Sequence, residues 1–283
     1  MKNSSETKKI SLQEKLSLFH EQLIGKKVVV GFTGGLGSTV LMRLALITSV
    51  EVICYFIETK YTSPNDLKAV EKEKYSEKPN SLIKILERPD LGRDILILNP
   101  DDRDFFCKKA IVDELEKRRQ ELDFDYVLDG ISHDNFFSFL HGKNPFNENY
   151  RLIFGEVGIT YEDLIEIATL YSIPNNRSPE INLLSRFPNF HMPITEELLE
   201  IVSRAEKFIT DLIGKEIVVR IRVIKRDQAI IEVDIKYISK ILDDKSRKQI
   251  FERFSNFGFK SICIDLAGYQ KNNIYQTMKN VLY

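Results

Sequence analysis

Glycines and hydroxyl side chains cluster near the start of the chain at a spacing that suits phosphate binding. They lie within residues 26–42, which read KKVVVGFTGGLGSTVLM. The members of the cluster are Thr33, Gly34, Gly35, Gly37, Ser38 and Thr39. Glycine lets backbone N–H groups turn toward a ligand, and the amides at the start of a following helix favour an anion. The stretch therefore predicts a phosphate-binding loop, with an ordinary helix-capping turn as the alternative.

The residues that flank this loop have the patterns of a strand and a helix. Three valines precede it, and the apolar residues Val40, Leu41, Leu44 and Ala45 that follow it recur with helical period. No Lys follows the glycines as in a Walker A loop, and the glycines do not have the G-x-G-x-x-G spacing. The loop thus matches neither of these two common nucleotide-binding motifs.

Another apolar strand pattern occupies residues 126–132 (YVLDGIS). Asp129 lies within this pattern, and Asp134 comes two residues after it. Open parallel sheets bind their ligands at the carboxyl ends of the strands. Mg²⁺ takes one or two carboxylates together with phosphate oxygens. We therefore expect Asp129 and Asp134 to hold Mg²⁺ on the phosphates, whereas His133 between them is expected only to order the loop.

Arginines occur at two further places where they suit an anionic substrate. Ser185 and Arg186 lie in an irregular segment, residues 175–193, that contains three prolines, and long connections of this kind are often functional. A guanidinium beside a hydroxyl suits bidentate recognition of phosphate or carboxylate. Arg220 and Arg222 alternate on a predicted strand and so share one face. In both cases the alternative is an arginine exposed to solvent.

The order of the patterns predicts an α/β fold, an open parallel sheet with helices on both faces. After the first strand, strands are expected at residues 51–58, 94–100 (DILILNP) and 126–132, with helices between them. Thr160 and Asp163 have the spacing of a capping box at the start of a helix. From residue 217 the pattern becomes strand, strand, helix, strand, with a hairpin about residues 226–227, which predicts a small C-terminal α+β domain. We therefore expect two domains, residues 1–194 and residues 195–283.

Composition excludes several classes of protein. The chain has 41 basic and 42 acidic residues, which argues against a nucleic-acid partner. Cys54, Cys107 and Cys263 form no C-x-x-C pair, so neither a zinc site nor a disulfide framework is expected. The first 15 residues are polar and no run of 18 apolar residues occurs, which predicts no secretory leader and no membrane span. A cytoplasmic location is expected.

Several ordered segments are similar to those of one enzyme family. Residues 33–38 resemble the SGGxDS pyrophosphate loop of the N-type ATP pyrophosphatases. Residues 99–108 (NPDDRDFFCK) resemble NPPDRCYFCK, residues 129–134 resemble DGTNxxD, and residues 185–188 match SRIP at three positions. Residues 257–269 (FGFKSICIDLAGY) resemble LGFxYVTLDLEGY. Together these segments, within residues 26–278, resemble the PP-loop ATP-dependent sulfur transferases of the LarE type.

The resemblance implies a fold of the adenine nucleotide alpha-hydrolase type that binds ATP and Mg²⁺. In that family a substrate carboxylate attacks the α-phosphorus, which releases pyrophosphate and leaves an acyl adenylate. By position, the resemblance assigns catalysis to Ser185, Arg186 and Asp129, and phosphate binding to the six loop residues, Arg220 and Arg222. It assigns metal binding to Asp129, Asp134, Glu206 and Glu232. It also implies a homo-oligomer and a small-molecule carboxylate substrate.

Two positions depart from the family pattern. Gly37 replaces the loop aspartate, and Asn182 stands where the family has its sulfur-donor cysteine, with no cysteine between Cys107 and Cys263. Restoring Asp at position 37 and Cys at position 182 is expected to restore sulfur transfer. Three functions stay open: an adenylating enzyme with an external sulfur or ammonia donor, an inactive nucleotide-binding homologue with a regulatory or scaffold role, and a tRNA-thiolating or amidating enzyme.

Overall fold

The computed structural model describes residues 10–64, 67–68, 70–71, 82–134, 145–173, 183–214 and 217–269. Contacts between residues group the chain into two compact units. The first comprises Met1–Glu58, Lys68–Arg88 and Asp104–Arg177, and the second comprises Thr59–Leu67, Pro89–Arg103 and Ser178–Tyr283. The second unit thus includes two stretches of the N-terminal half of the chain. A domain boundary after residue 194 stays a prediction.

The first unit is built on a parallel sheet of five strands. The strands are β1 (Lys27–Gly31), β2 (Glu51–Glu58), β3 (Ile83–Glu87), β4 (Tyr126–Asp129) and β5 (Tyr150–Arg151). They lie in the order β3-β2-β1-β4-β5, and every pair is parallel. The last four residues of the central strand β1 are buried. The predicted α/β fold with a parallel sheet is confirmed.

The described residues form the following helices. They are α1 (Leu12–Leu23), α2 (Leu36–Thr48), α3 (Arg93–Leu98), α4 (Arg103–Leu122), α5 (Ile153–Glu156), α6 (Tyr161–Leu170), α7 (Glu196–Ile213), α8 (Ile238–Leu242) and α9 (Asp244–Asn256). Thr160 and Asp163 form the predicted capping box of α6, and Thr195 caps α7. Among these helices none has the length and apolarity that a bilayer span requires.

The prediction of a strand at residues 94–100 is wrong. Residues 93–98 form the helix α3, between Gly92 and Asn99, which both have left-handed backbone angles. The third strand is β3, whose Ile83 is in register with Cys54 of β2. A short apolar run cannot be assigned to strand or helix by periodicity alone. The left-handed caps and the following Pro100 decide in favour of the helix here.

The second unit contains a three-stranded sheet, β6 (Val219–Lys225), β7 (Gln228–Val233) and β8 (Ser261–Ile264), in that order. β6 and β7 pair antiparallel as the predicted hairpin, and β8 pairs parallel to β7. Helix α7 packs on β6 and buries an apolar face that includes Val202 and Ile209. The predicted small C-terminal α+β region is confirmed.

Candidate functional site

The predicted phosphate loop lies at the carboxyl end of the central strand. β1 ends at Gly31, which is in register with Tyr55 of β2 and Asp129 of β4. The chain then turns through Gly34, whose φ of 73° is in the left-handed region, and Gly35 is the N-cap of α2. Ligands of open parallel sheets bind at this edge. The strand, the glycine turn and the start of the helix therefore occupy the expected places.

The hydroxyl groups of the loop bond to the loop itself. Ser38 Oγ accepts a hydrogen bond from the Thr33 amide at 3.1 Å and donates one to the Gly35 carbonyl at 3.1 Å. Thr39 Oγ1 donates to the same carbonyl at 2.9 Å, and Thr33 Oγ1 accepts from the Gly35 amide at 3.3 Å. These bonds hold the shape of the loop, and the role in phosphate binding that the sequence assigned to the hydroxyls stays a prediction.

Three backbone amides at the start of α2 have no hydrogen-bond partner among the described residues. The first N–H groups of an α-helix have no carbonyl four residues before them, and the first bond of this helix runs from Thr39 N to Gly35 O. Within the described part of the chain, no hydrogen bond takes the amides of Leu36, Gly37 or Ser38. The first turn also contains no acidic residue. The partial positive charge of the helix start is therefore not offset by a carboxylate.

Gly37 is a glycine because its backbone touches another backbone. A methyl group at Gly37 would overlap the carbonyl oxygen of Gly130, and one at Gly130 would lie 2.5 Å from the Gly37 carbonyl carbon and the Ser38 nitrogen. A side chain therefore fits at position 37 only if the backbone moves, and the expected restoration of sulfur transfer by Asp at position 37 with Cys at position 182 stays a prediction. Asn182, the position of the missing donor cysteine, lies outside the described residues.

Asp129 is the centre of a buried polar group beside the loop. Lys108 Nζ and Tyr150 Oη both donate to its Oδ2, Tyr150 at 2.7 Å, and its Oδ1 accepts from the Ile131 amide at 3.2 Å. Burial raises the pKa of the Tyr150 phenol well above its usual range, and the charge of Asp129 raises this pKa further. Tyr150 therefore stays protonated and donates its hydrogen bond at any ordinary pH.

Lys108 brings a cation to the same edge of the sheet. Its carboxylate partner Asp129 is in register with Gly31, and the next residue, Gly130, packs against Gly37. The ammonium group lies 5.9 Å from the centre of the Tyr150 ring. Sequence reasoning named Lys108 only as part of a family segment and gave it no role. Nothing in the sequence indicated Tyr150.

Asp134 and His133 fix the loop that follows β4. Asp134 Oδ1 accepts from the Tyr161 amide at 2.9 Å, in the first turn of α6. His133 Nδ1 lies 3.0 Å from the Gly155 carbonyl oxygen. Both side chains therefore order the loop, as expected for His133, and the metal-binding role that the sequence assigned to Asp134 stays a prediction.

Ser185 and Arg186 belong to a buried cluster in the second unit. They end a short 3₁₀ turn, Leu183–Arg186, and Arg186 is only 1% exposed. Arg186 Nε donates to Glu206 Oε1 at 2.9 Å and Nη1 donates to Ser185 Oγ at 2.6 Å. Glu206 Oε1 also accepts from the Ile221 amide at 3.1 Å. The alternative of a solvent-exposed arginine is excluded at this position.

Arg220 and Arg222 are buried as well, at 6% and 4% exposure. Arg222 forms an ion pair with Glu232 at 2.8 Å and donates to the Ser185 carbonyl at 2.7 Å. Arg220 donates to a main-chain carbonyl of its own strand, and its guanidinium lies 5.5 Å from the centre of the Tyr269 ring. Surface arginines are therefore excluded here too. We call Ser185, Arg186, Glu206, Arg220, Arg222 and Glu232 the arginine cluster.

The four carboxylates predicted to bind a metal all bond to other groups. Asp129 pairs with Lys108, Glu206 with Arg186, and Glu232 with Arg222, while Asp134 caps a helix. Over the described ranges, no group of three or more His, Cys, Asp or Glu side chains is placed to hold a metal ion. In this arrangement these carboxylates are counter-ions or caps, and a role in Mg²⁺ binding stays a prediction.

Comparisons with known proteins find relatives that span both units. No protein-family model matches the chain. The chain is 30% identical over 253 residues to the uncharacterized protein MJ0830 of Methanocaldococcus jannaschii, covering 88% of this chain and 93% of that protein. It is 25% identical over 255 residues to the uncharacterized protein slr1717 of Synechocystis sp., covering 89% and 93%. Each alignment includes residues of the loop-bearing first unit and of the second unit.

Proposed function

The chain belongs to the same family as the uncharacterized protein MJ0830 of Methanocaldococcus jannaschii, and we propose a function for it from the geometry of its own residues. It binds ATP with the terminal phosphates at the start of α2 and uses the nucleotide to activate a carboxylate substrate. The observation that carries this proposal is the set of amides without a hydrogen-bond partner at Leu36, Gly37 and Ser38, at the carboxyl end of the central strand, with Lys108 held by Asp129 at the same edge of the sheet.

The residues of the loop fit a polyphosphate. Three amides without a partner lie at a helix start that contains no acidic residue, and such helix starts favour anions. Lys108 donates a hydrogen bond to Asp129. An ammonium on a flexible stem can turn from a carboxylate to a phosphate oxygen, because both are anionic acceptors. The similarity of the loop to the pyrophosphate loop of ATP pyrophosphatases makes ATP the expected nucleotide.

The proposed reaction is transfer of the adenylyl group. A carboxylate oxygen of the substrate attacks the α-phosphorus, the bond to the bridging oxygen breaks, and pyrophosphate leaves with the electron pair. This chain contributes positioning and neutralisation of charge, through the helix-start amides and Lys108. The arginine cluster supports binding of an anionic acceptor by the second unit. Because no cysteine occurs between Cys107 and Cys263, any sulfur or ammonia that follows comes from a separate donor.

A second candidate function is nucleotide binding without turnover. Three carboxylates that the family resemblance assigns to metal binding are engaged by basic side chains, Asp129 by Lys108, Glu206 by Arg186 and Glu232 by Arg222. If these pairs persist when nucleotide binds, the chain lacks the carboxylates that catalysis with Mg²⁺ uses. Its role would then be that of a regulatory or scaffold protein.

Calorimetry with Mg·ATP on matched lysine variants tests the proposal. Lys108→Met removes the cation beside the loop, whereas Lys109→Met removes the adjacent, exposed lysine, which pairs with Asp113 on the surface of the same helix. We expect Lys108→Met to weaken Mg·ATP binding by about tenfold or more, since bonds between charged groups are the strong ones. Lys109→Met should leave the dissociation constant unchanged.

A pyrophosphate-release assay then separates the two candidate functions. Release that depends on an added small-molecule carboxylate supports adenylation. Binding of Mg·ATP without release, over a panel of carboxylates that includes pyridine carboxylate nucleotides, supports the non-catalytic function. Absence of Mg·ATP binding by the wild-type protein, or equal loss in both lysine variants, would reject the proposed phosphate site.

A further inference from the structure

Two buried side chains, Asn99 at the end of α3 and Arg103 at the start of α4, hold the segment that follows Ser185 and Arg186. We infer that Asn99 and Arg103 are positioning residues, which set the place of the Ser185–Arg186 turn in the second unit. This inference rests on the proposed function, because it gives that turn a part in binding the acceptor. Asn99 precedes its partner Asn189 by 90 positions, and Arg103 precedes its partner Phe187 by 84. The sequence patterns gave neither residue a role of its own.

Asn99 is fully buried and uses every polar atom of its side chain. Its Nδ2 donates to the carbonyls of Asn189 and Met192, at 3.0 Å and 2.9 Å, and its Oδ1 accepts from Arg103 Nη1. Its own main-chain carbonyl accepts from the His191 amide at 2.7 Å. Three of the hydrogen bonds of Asn99 thus go to residues 189–192.

Arg103 extends this contact to the residue next to Arg186. It is 2% exposed, its Nη1 donates to the Phe187 carbonyl at 2.7 Å, and its guanidinium lies 4.9 Å from the centre of the Phe190 ring. Phe187 itself is fully buried. The carbonyl that Arg103 holds therefore belongs to the residue bonded directly to Arg186.

The held segment lacks the regular backbone hydrogen bonds of a helix or a strand. Residues 187–195 contain no helix or strand, so their polar backbone groups need partners outside regular structure. Asn99 and Arg103 supply partners for Phe187, Asn189, His191 and Met192. His191 has a φ of 62°, a backbone angle that is rare for residues other than glycine. The surrounding bonds must therefore impose the path of this segment.

The backbone of Asn99 explains why this position can carry such a side chain. Its φ of 41° and ψ of 55° place it in the left-handed region at the end of α3. Asn adopts this region more readily than most residues with a side chain. Asp and Gly share that tolerance, so substitutions to either residue change the side-chain bonds while the backbone angle stays accessible.

Amide hydrogen exchange on the full-length protein tests the inference directly. Asn99→Asp keeps the acceptor for Arg103 and removes both donors, whereas Asn99→Gly removes all the side-chain bonds. Arg103→Lys keeps the positive charge and removes the planar guanidinium group that donates to Asn99 and to the Phe187 carbonyl. We expect exchange in residues 187–192 to rise about tenfold in Asn99→Asp and further in Asn99→Gly. Arg247→Lys, an exposed arginine of α9 that pairs with Asp244, is the matched control and should leave exchange unchanged.

A kinetic readout distinguishes positioning from a general loss of stability. In the pyrophosphate-release assay, Asn99→Asp and Arg103→Lys should lower kcat by about tenfold, while the Kd for Mg·ATP stays within twofold, because the loop that binds nucleotide lies in the first unit. Unchanged exchange in residues 187–192, or an equal rise throughout α7 and β6, would overturn the inference. If the wild-type protein releases no pyrophosphate, the proposed function fails, while the exchange comparison still decides the positioning role.

Discussion

The loop at residues 33–38 and the arginine cluster offer two contrasting ways to hold an anion. The loop offers main-chain amides at a helix start, and its hydroxyls bond inward to keep its shape. The arginine cluster offers guanidinium groups that are buried and already paired with Glu206 and Glu232. The loop therefore depends on glycine and on backbone geometry. The arginine cluster depends on the balance of buried charges.

Removing a counter-ion from the arginine cluster should have a severe effect on stability. Glu206→Ala leaves the Arg186 guanidinium buried without its carboxylate and leaves the Ile221 amide without its acceptor. Losing one partner of a buried ion pair costs about 3–5 kcal/mol, so urea unfolding should show a loss of this size. Glu200→Ala removes an exposed carboxylate of the same helix, whose pair with Arg204 is on the surface, and should cost at most about 1 kcal/mol. Equal losses would contradict the contrast between the regions.

A methyl group at Gly37 should lower the free energy of unfolding more than the loss of any hydroxyl group of the loop. Gly37→Ala forces the start of α2 away from Gly130, and overpacking of this kind costs about 1–3 kcal/mol. Gly155→Ala is the control, since the nearest heavy atom to a methyl group at that position is 4.0 Å away. It should be neutral or slightly stabilising. If Gly37→Ala is equally neutral in urea unfolding, the close contact with Gly130 is contradicted.

The polar group around Asp129 should make a smaller and pH-dependent contribution. Tyr150→Phe removes the phenol that donates to Asp129, which should cost about 1 kcal/mol near neutral pH. The pKa of Tyr150 is raised in the folded protein, first by burial and then by Asp129. The stability that Tyr150 provides is therefore fully present below the pKa of an unfolded tyrosine, about 10, and is lost as the pH rises above it.

Urea unfolding of the wild type and of Tyr150→Phe at several pH values tests whether the stability contributed by Tyr150 falls as the pH rises. The free-energy difference between the two proteins should stay constant up to about pH 10 and then shrink. The other tyrosines are common to both proteins, so their titration cancels in the difference. A difference that grows above that pH would mean that Tyr150 ionises more easily in the folded protein than in the unfolded chain.

The sequence predicted local features better than features that depend on distant contacts. The strand, glycine turn and helix at residues 27–48 follow from adjacent residues, and the hairpin and the capping box of α6 do so too. Residues 94–100 were assigned to a strand because a short apolar run fits either element. The helix there became clear only from the left-handed backbone at Gly92 and Asn99.

For the site residues too, the features that depend on distant contacts could not be predicted from the sequence. Arg186, Arg220 and Arg222 could be singled out from their spacing, but burial depends on α7 and on the sheet that packs around them. Gly37 was interpreted as a lost carboxylate, whereas its contact with Gly130 explains it by packing. Tyr150 reaches Asp129 across the β4–β5 pair. No pattern in adjacent residues could have indicated that contact.

The main-chain phosphate site is tested most directly by ¹H–¹⁵N spectra of the labelled protein during titration with Mg·ATP, and with adenosine in a parallel sample. We predict that the amide resonances of Leu36, Gly37 and Ser38 shift with Mg·ATP and stay in place with adenosine. Unchanged resonances of these three amides at saturating Mg·ATP would contradict phosphate binding at the start of α2.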